Sequence, residues 1–377
     1  MPEWRTVPTA EIEQAVRSRM PAARNVRIRK RARLRPTMGA TGSYFERVTL
    51  EVDGRRLPAI FKMGAMPAGP PVREALFFDR YRDRVPMPTA ECYAVGPPQQ
   101  GGDTWVLMSR LPRGKRLSEW SIEDSRAALR NLARLHAAYL GEPPPGLPRP
   151  MTAQLEDSLS FLPEGVYRLR EVFDAYPGLP RFAGEPALDR LLALAFRPHI
   201  FREAFTRSRE TLLHGDYHRG NIIARDGQEQ AAFDWQFVCA GPPAYDLAVF
   251  WHYLGIVNKP FLFRAIDRVG LQERCMTWQE CCNVYAAELR QLRPDADIAA
   301  ILSCSDQALC WEVIRQVTYM AAAMTDTHGA IFRFVYRDHR AIGGWITRIL
   351  GIDLLWQTYA MLFDDFEQRA ARLLERG

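Results

Sequence analysis

The chain has 377 residues, 47% of them hydrophobic and 25% charged, with 50 Lys+Arg against 44 Asp+Glu and a net charge of +6. That is the composition of a globular protein long enough for two packed units, and it excludes a disordered or collagen-like chain. No run approaches the ~18 apolar residues that span a bilayer, so no membrane role is expected.

The N-terminus, Met1-Pro2-Glu3-Trp4-Arg5, carries early charges and no apolar stretch, so the chain reads as cytoplasmic. Seven cysteines are an odd number and none falls at a zinc spacing, which suggests reduced, buried thiols. Residues 1–110 hold 19 Lys+Arg against 11 Asp+Glu, while the remainder holds 31 against 33. The positive charge therefore collects N-terminally, where phosphates would benefit from it.

Thr9 to Met20 reads as a short helix with Glu11 and Glu13 in its first turn. From Arg24 to Arg35 seven basic residues alternate with Val26, Ile28, Ala32 and Leu34, with Lys30 interrupting the apolar face. Alternation predicts a half-buried strand over Val26–Leu34 rather than a nucleic-acid arm. Gly39 and Gly42, followed by Ser43, form a loop before a strand over Tyr44–Val52. Such a loop can lay backbone N–H groups over phosphate oxygens. Asp53-Gly54 turns into a third strand, Leu57–Ile60, closing on Phe61-Lys62, with Pro58 tolerable near its start.

Lys62 stands out because only Lys30, Lys62, Lys115 and Lys259 are lysines among the 50 basic residues. A compact ammonium at a strand end can pair with Glu74, on a helix expected over Val72–Arg84, and point at phosphates. A strand at Trp105–Met108 leads to a short hinge, Ser109–Pro112. Beyond it the composition turns helical: Ser125–Leu140, Pro186–Ala195 and most of the chain after Leu247. The Pro-rich stretch Glu142–Pro150 reads as a surface connection. The expected fold class is α+β, with a β-rich nucleotide-binding lobe over residues 1–109 and a larger catalytic and substrate-binding lobe over 110–377.

The strongest signal is His214-Gly215-Asp216-Tyr217-His218-Arg219-Gly220-Asn221, followed thirteen residues after Asn221 by Asp234-Trp235-Gln236. Phosphoryl transfer needs a carboxylate to orient a hydroxyl and take its proton. It also needs oxygen ligands that hold Mg²⁺ against the phosphates. Ile222-Ile223 and Ala231-Ala232, joined across Asp226-Gly227, read as a hairpin that returns Asp234 to where Asn221 left.

Taken together, these motifs resemble the aminoglycoside phosphotransferase and choline kinase-like superfamily, small-molecule kinases with a protein kinase-like two-lobe fold. The Asp-Trp-Gln form, with Pro243-Ala244-Tyr245-Asp246-Leu247 after it, is closest to the ecdysteroid kinase-like branch. The resemblance implies that Asp216 is the catalytic base and that Asn221 and Asp234 hold Mg²⁺. It implies that Gly39, Gly42, Ser43, Lys62 and Glu74 serve the ATP phosphates. Met108, Ser109 and Leu111 would then frame the adenine. His218 stands where protein kinases place a phosphate-contacting lysine, and a loop histidine is the equal alternative. His214 and Asp246 are expected to be structural.

No Ala-Pro-Glu activation segment is evident, which disfavours a protein substrate. The expected partner is a small molecule bearing a hydroxyl, not nucleic acid. Open alternatives are an aminoglycoside or other antibiotic kinase and an inactive nucleotide-binding homologue. The aromatics of the C-terminal part, including Phe250, Trp251, Tyr253, Trp278, Tyr285 and Trp311, are expected mostly in the core.

Overall fold

The computed structural model describes residues 6–34, 44–64, 70–96, 104–115, 119–149, 156–176, 181–227, 229–254, 276–322 and 352–376. In chain order the strands are β1 (Val26–Arg33), β2 (Tyr44–Val52), β3 (Arg55–Gly64), β4 (Cys92–Val95), β5 (Thr104–Ser109), β6 (Thr211–Leu213), β7 (Ile222–Ile223), β8 (Ala231–Ala232) and β9 (Cys239–Gly241). The helices are α1 (Thr9–Arg19), α2 (Pro70–Arg80), α3 (Ile122–Tyr139), α4 (Glu156–Ala175), α5 (Glu185–Ala195), α6 (His199–Arg207), α7 (Pro243–Leu254), α8 (Trp278–Leu292), α9 (Ile298–Ile301), α10 (Ser305–Ala322) and α11 (Ile352–Arg376). They sort into two compact units, an α+β organisation. The first comprises Met1–Gly114, His214–Asp216 and Asn221–Val238; the second comprises Lys115–Leu213, Tyr217–Gly220 and Cys239–Gly377.

The first unit is built on an antiparallel sheet of order β1-β2-β3-β5-β4. Its buried side is filled by Val48, Leu50, Ala59, Phe61, Met63, Trp105 and Leu107, joined by Ile12 and Val16 from one face of α1. Each fully buried side chain of this size contributes roughly 1.5–3 kcal/mol.

The apolar face expected for β1 is corrected by a bulge. Ile28 pairs with Leu50 but Lys30 pairs with Thr49, so the register slips between them. One extra residue reverses which side each later side chain faces. Lys30 and Ala32 are exposed, and Arg31 turns inward to Glu46, the Val7 carbonyl and the Phe61 ring. The lysine that interrupts the sequence pattern marks this bulge. The arginines left outside on an edge strand also discourage pairing with another sheet.

β3 begins at Arg55, two residues before the expected start, so Pro58 sits inside it. Pairing with β5 starts only at Ala59, opposite Ser109. Pro58 therefore sits at the end of the β5 ladder, where its carbonyl accepts from the Arg110 N–H and its missing N–H is tolerated.

In the second unit, α4, α5, α10 and α11 enclose a core that includes Leu162, Val166, Leu188, Leu191, Ile314 and Phe366. Helix α3 starts with a capping box, Ser121 with Asp124, and α8 with another, Thr277 with Glu280. Each satisfies two of the N–H groups a helix start leaves open. Helix α4, with Pro163 inside it, was not expected from the sequence: an interior proline reads as a breaker. Strands β6 and β9 escape sequence reading because three residues show no periodicity.

Candidate functional site

Lys62 lies near the end of β3, opposite Phe45 of β2 and Val106 of β5. Its Nζ is 2.6 Å from Glu74 Oε2 on α2 and 2.6 Å from Asp234 Oδ1. The ammonium is almost fully buried, which by itself pushes its pKa down. The charges of Glu74 and Asp234 outweigh that burial and raise it, so Lys62 stays protonated. Glu74 is also raised, first by burial; Lys62 draws it down while the charge of Asp234 adds to the rise. The two upward shifts differ in cause: the carboxylate charges raise Lys62, whereas burial leads the rise of Glu74. A single ammonium is shared by two carboxylates, buried Glu74 and partly exposed Asp234, leaving a net charge of −1.

Asp234 reaches Lys62 through an unusual backbone. Its φ of 65° and ψ of 60° lie in the left-handed region, rare for a residue with a Cβ. Strain of this kind persists where the surroundings over-determine it. Behind Asp234 the hairpin closes as the sequence suggests: Ile222 pairs with Ala232 and Ile223 with Ala231. Gly227 takes the positive φ of the turn, and the Phe233 N–H donates to the Asn221 carbonyl at 3.0 Å. The hairpin thus ties the residue after Asp216's loop to the residue before Asp234.

Asp216 is itself held from two sides. Asn221 Nδ2 donates to the Asp216 carbonyl at 3.0 Å and to its Oδ2 at 2.9 Å. The Asp216 N–H donates to His214 Nδ1 at 3.3 Å. With Nδ1 accepting, the proton of a neutral ring sits on Nε2, which donates to the Phe233 carbonyl at 3.0 Å. Buried His214 therefore links Asp216 to the residue preceding Asp234. Gly215 between them has φ 79°, and a Cβ there would fall 2.0 Å from the Phe237 carbonyl oxygen. Only glycine fits.

The other sequence candidates are placed as follows. Met108 and Ser109 close β5; the Ser109 N–H donates to the Glu91 carbonyl, and Ser109 Oγ accepts from the Glu91 N–H, both at 2.8 Å. Leu111 follows, half-buried, after Arg110 donates to the Pro58 carbonyl. Gly39, Gly42 and Ser43 lie outside the described residues. In the second unit, buried His218 accepts from the Gly220 N–H through Nδ1 and stacks on Tyr253 at 4.5 Å. Asp246 is fully buried and meets His136 Nε2 at 3.3 Å, while His136 Nδ1 meets the Tyr285 hydroxyl at 2.9 Å. Of the aromatics, Phe250, Tyr285 and Trp311 are core residues.

Sequence reading missed Trp235, which is fully buried and packed flat on Phe77 of α2, 4.0 Å between centroids. A tryptophan directly after the motif aspartate is the signal that was available.

A model of the phosphotransferase enzyme family matches residues 54–279. That span contains Lys62, Glu74, Met108, Ser109, Leu111, Asp216, His218, Asn221 and Asp234. No curated protein matches the sequence.

Solved structures similar to this chain include a thermostable mutant of aminoglycoside phosphotransferase APH(4)-Ia in ternary complex with ADP and hygromycin B. It is 14% identical, covers 86% of this chain and 98% of its own, and has a TM-score of 0.42. An aminoglycoside-3'-phosphotransferase of type VIII is 16% identical over 81% of this chain and 99% of its own, with a TM-score of 0.45. An aminoglycoside phosphotransferase from Alicyclobacillus acidocaldarius is 13% identical over 100% of this chain and 97% of its own, also at 0.45. Identities and scores this low carry no weight for substrate. The sequence match spans more than half of the chain and includes the described residues that hold Lys62 and Asp216 in place. The chain belongs to the phosphotransferase enzyme family and is a small-molecule kinase.

Proposed function

We propose that the protein transfers the γ-phosphoryl group of ATP, with Mg²⁺, to a hydroxyl of a small organic molecule. The observation that carries this reading is one buried lysine bonded at 2.6 Å to both Glu74 and Asp234. In the same unit, Asn221 is fastened to Asp216.

The donor set fits magnesium. Carboxylate and amide oxygens are hard ligands, and Mg²⁺ is commonly held by one or two carboxylates together with substrate phosphates. Asp234 and Asn221 are the residues that would hold the ion. With Lys62, Glu74, Asp234 and Asp216 the local charge is −2, which a dication offsets. Bound there, Mg²⁺ would neutralise charge on the phosphates during transfer.

Lys62 must exchange partners for this to happen. It releases Asp234 and takes phosphate oxygens instead, while Glu74 keeps the ammonium aimed. Asp216, half-exposed, orients the acceptor hydroxyl and accepts its proton. Ser109 and Leu111 offer backbone groups to the adenine edge, with Met108 beside it, and His218 contacts a phosphate.

The second unit has no pronounced excess of acid, whereas a polycationic aminoglycoside favours a carboxylate-rich site. The reading therefore favours a hydroxylated, amphipathic acceptor. A screen for ADP release and phosphorylated product over hydroxylated metabolites, sugars, sterols and antibiotics tests it. At least one acceptor should stimulate ADP release in the presence of Mg²⁺. Mg·ATP binding with no turnover on any compound would instead support an inactive homologue.

A further inference from the structure

Trp235 touches several of the groups around Lys62 by separate contacts. Its ring lies on Phe77 of α2, one helical turn beyond Glu74, with 8° between the planes. Its other neighbour is the His214 ring, at 4.5 Å. Its indole Nε1–H donates to Thr89 Oγ1 at 3.0 Å, so the polar atom of a fully buried ring is satisfied. Its backbone N–H donates to the Glu74 carboxylate, the same carboxylate that holds Lys62. And it directly follows Asp234, whose left-handed backbone opens the 3₁₀ turn Trp235–Phe237.

We infer that Trp235 is a positioning residue that locks Glu74 and the Asp234 turn into one body, so that the metal-binding carboxylate is held ready before nucleotide arrives. The inference rests on the proposed metal role of Asp234. The Asp234 turn is over-determined by its surroundings. A left-handed aspartate is strained and persists only where its neighbours fix it. The residue after Asp234 is gripped by a stacked ring, a side-chain hydrogen bond and a backbone hydrogen bond. Flipping the Asp234 backbone out of its left-handed turn must break these three contacts together. Helix α2 cannot move Glu74 outward without losing the Phe77 stack as well. Regulation by swinging α2 or flipping the Asp234 turn, a device open to related phosphoryl-transfer enzymes, is thereby disfavoured in this chain.

The test separates the metal-dependent part of nucleotide affinity from the rest. ATP binding is titrated calorimetrically with Mg²⁺ and with EDTA, for wild type, Trp235→Phe, Trp235→Leu, Thr89→Val and Asp234→Ala. Thr89→Val removes only the hydrogen-bond acceptor. It should lower the Mg²⁺-dependent gain in affinity about threefold to tenfold, the worth of one neutral hydrogen bond. Trp235→Phe, which keeps a ring on Phe77, should do the same. Trp235→Leu should abolish most of the gain, and affinity in EDTA should stay within about threefold of wild type throughout. Should Trp235→Leu fail to fold, the other two variants carry the test, since each keeps the core filled. A full Mg²⁺ gain in Thr89→Val and Trp235→Phe, beside a lost gain in Asp234→Ala, would overturn the role of Trp235. A full gain in Asp234→Ala as well would overturn the metal assignment on which it stands.

Discussion

At the scale of single residues, the site turns on one cation shared between two carboxylates. Lys62→Arg preserves the charge but not the geometry. A planar fork cannot sit at 2.6 Å from both Glu74 and Asp234 inside a buried space shaped for an ammonium. Turnover should fall by at least roughly tenfold, a barrier change of about 1.4 kcal/mol, and a fully active variant would mean that charge alone suffices. Gly215→Ala tests the other half of the site. The added methyl meets the Phe237 carbonyl oxygen at 2.0 Å, on a backbone at φ 79°. Strain at such a position costs roughly 1–3 kcal/mol before the clash is counted. Chemical denaturation should register that loss, and activity should fall with it because Asp216 is the next residue. An unchanged midpoint and rate would show that the 214–216 backbone relaxes freely.

Elements show where sequence reading holds and where it stops. Motif residues were legible because their chemistry and spacing are local: the hairpin that returns Asp234 needs only two apolar pairs and an Asp-Gly turn. The bulge in β1 was not, since an extra residue leaves every residue type unchanged and alters only the phase. Nor was α4, because Pro163 argues against a helix unless burial of Leu162, Val166 and Leu169 outweighs it. Trp235 is visible in the sequence only as a member of the Asp-Trp-Gln motif, and its four partners come from the fold.

The long C-terminal helix is fixed by charge as well as by packing. Asp306, in the first turn of α10, accepts from Arg369 at 2.5 Å and from Arg372 at 3.2 Å. Burial pushes the Asp306 carboxyl up, but the two guanidinium partners win and hold it below the ordinary carboxylate value. A carboxylate depressed in the folded state adds stability above its unfolded pKa of about 3.9 and loses it as pH falls further. The Asp306 side chain is 23% exposed, so its contribution at pH 7 is discounted to about 1 kcal/mol. The stability gap between wild type and Asp306→Asn should therefore be open at pH 7 and shrink below pH ~4, as read by urea unfolding at each pH. A gap that is constant with pH would locate the effect in packing instead.

For the whole molecule, composition and charge bounded the class but not the chemistry. Nineteen basic residues against eleven acidic in positions 1–110 suit an anionic ligand. Part of that charge is answered locally by Glu46 and Glu51. No described helix is long and apolar enough to cross a membrane. What the fold adds is assembly: Lys62, Glu74, Asp216, Asn221 and Asp234, spread over 173 positions of sequence, fall in one compact unit. The acceptor is the part neither composition nor motif spacing specifies, because its recognition depends on side chains drawn from many separated segments.

The account stands on Asp216 as the base of a phosphoryl transfer, and one comparison tests it most directly. ADP release with a productive acceptor is measured for wild type and Asp216→Asn, with Mg·ATP affinity measured on the same samples. The substitution keeps size and one acceptor oxygen for Asn221 but removes proton acceptance. It should cut turnover roughly 10²–10⁴-fold, while Mg·ATP affinity stays within about threefold of wild type. Near wild-type turnover in Asp216→Asn would contradict the account.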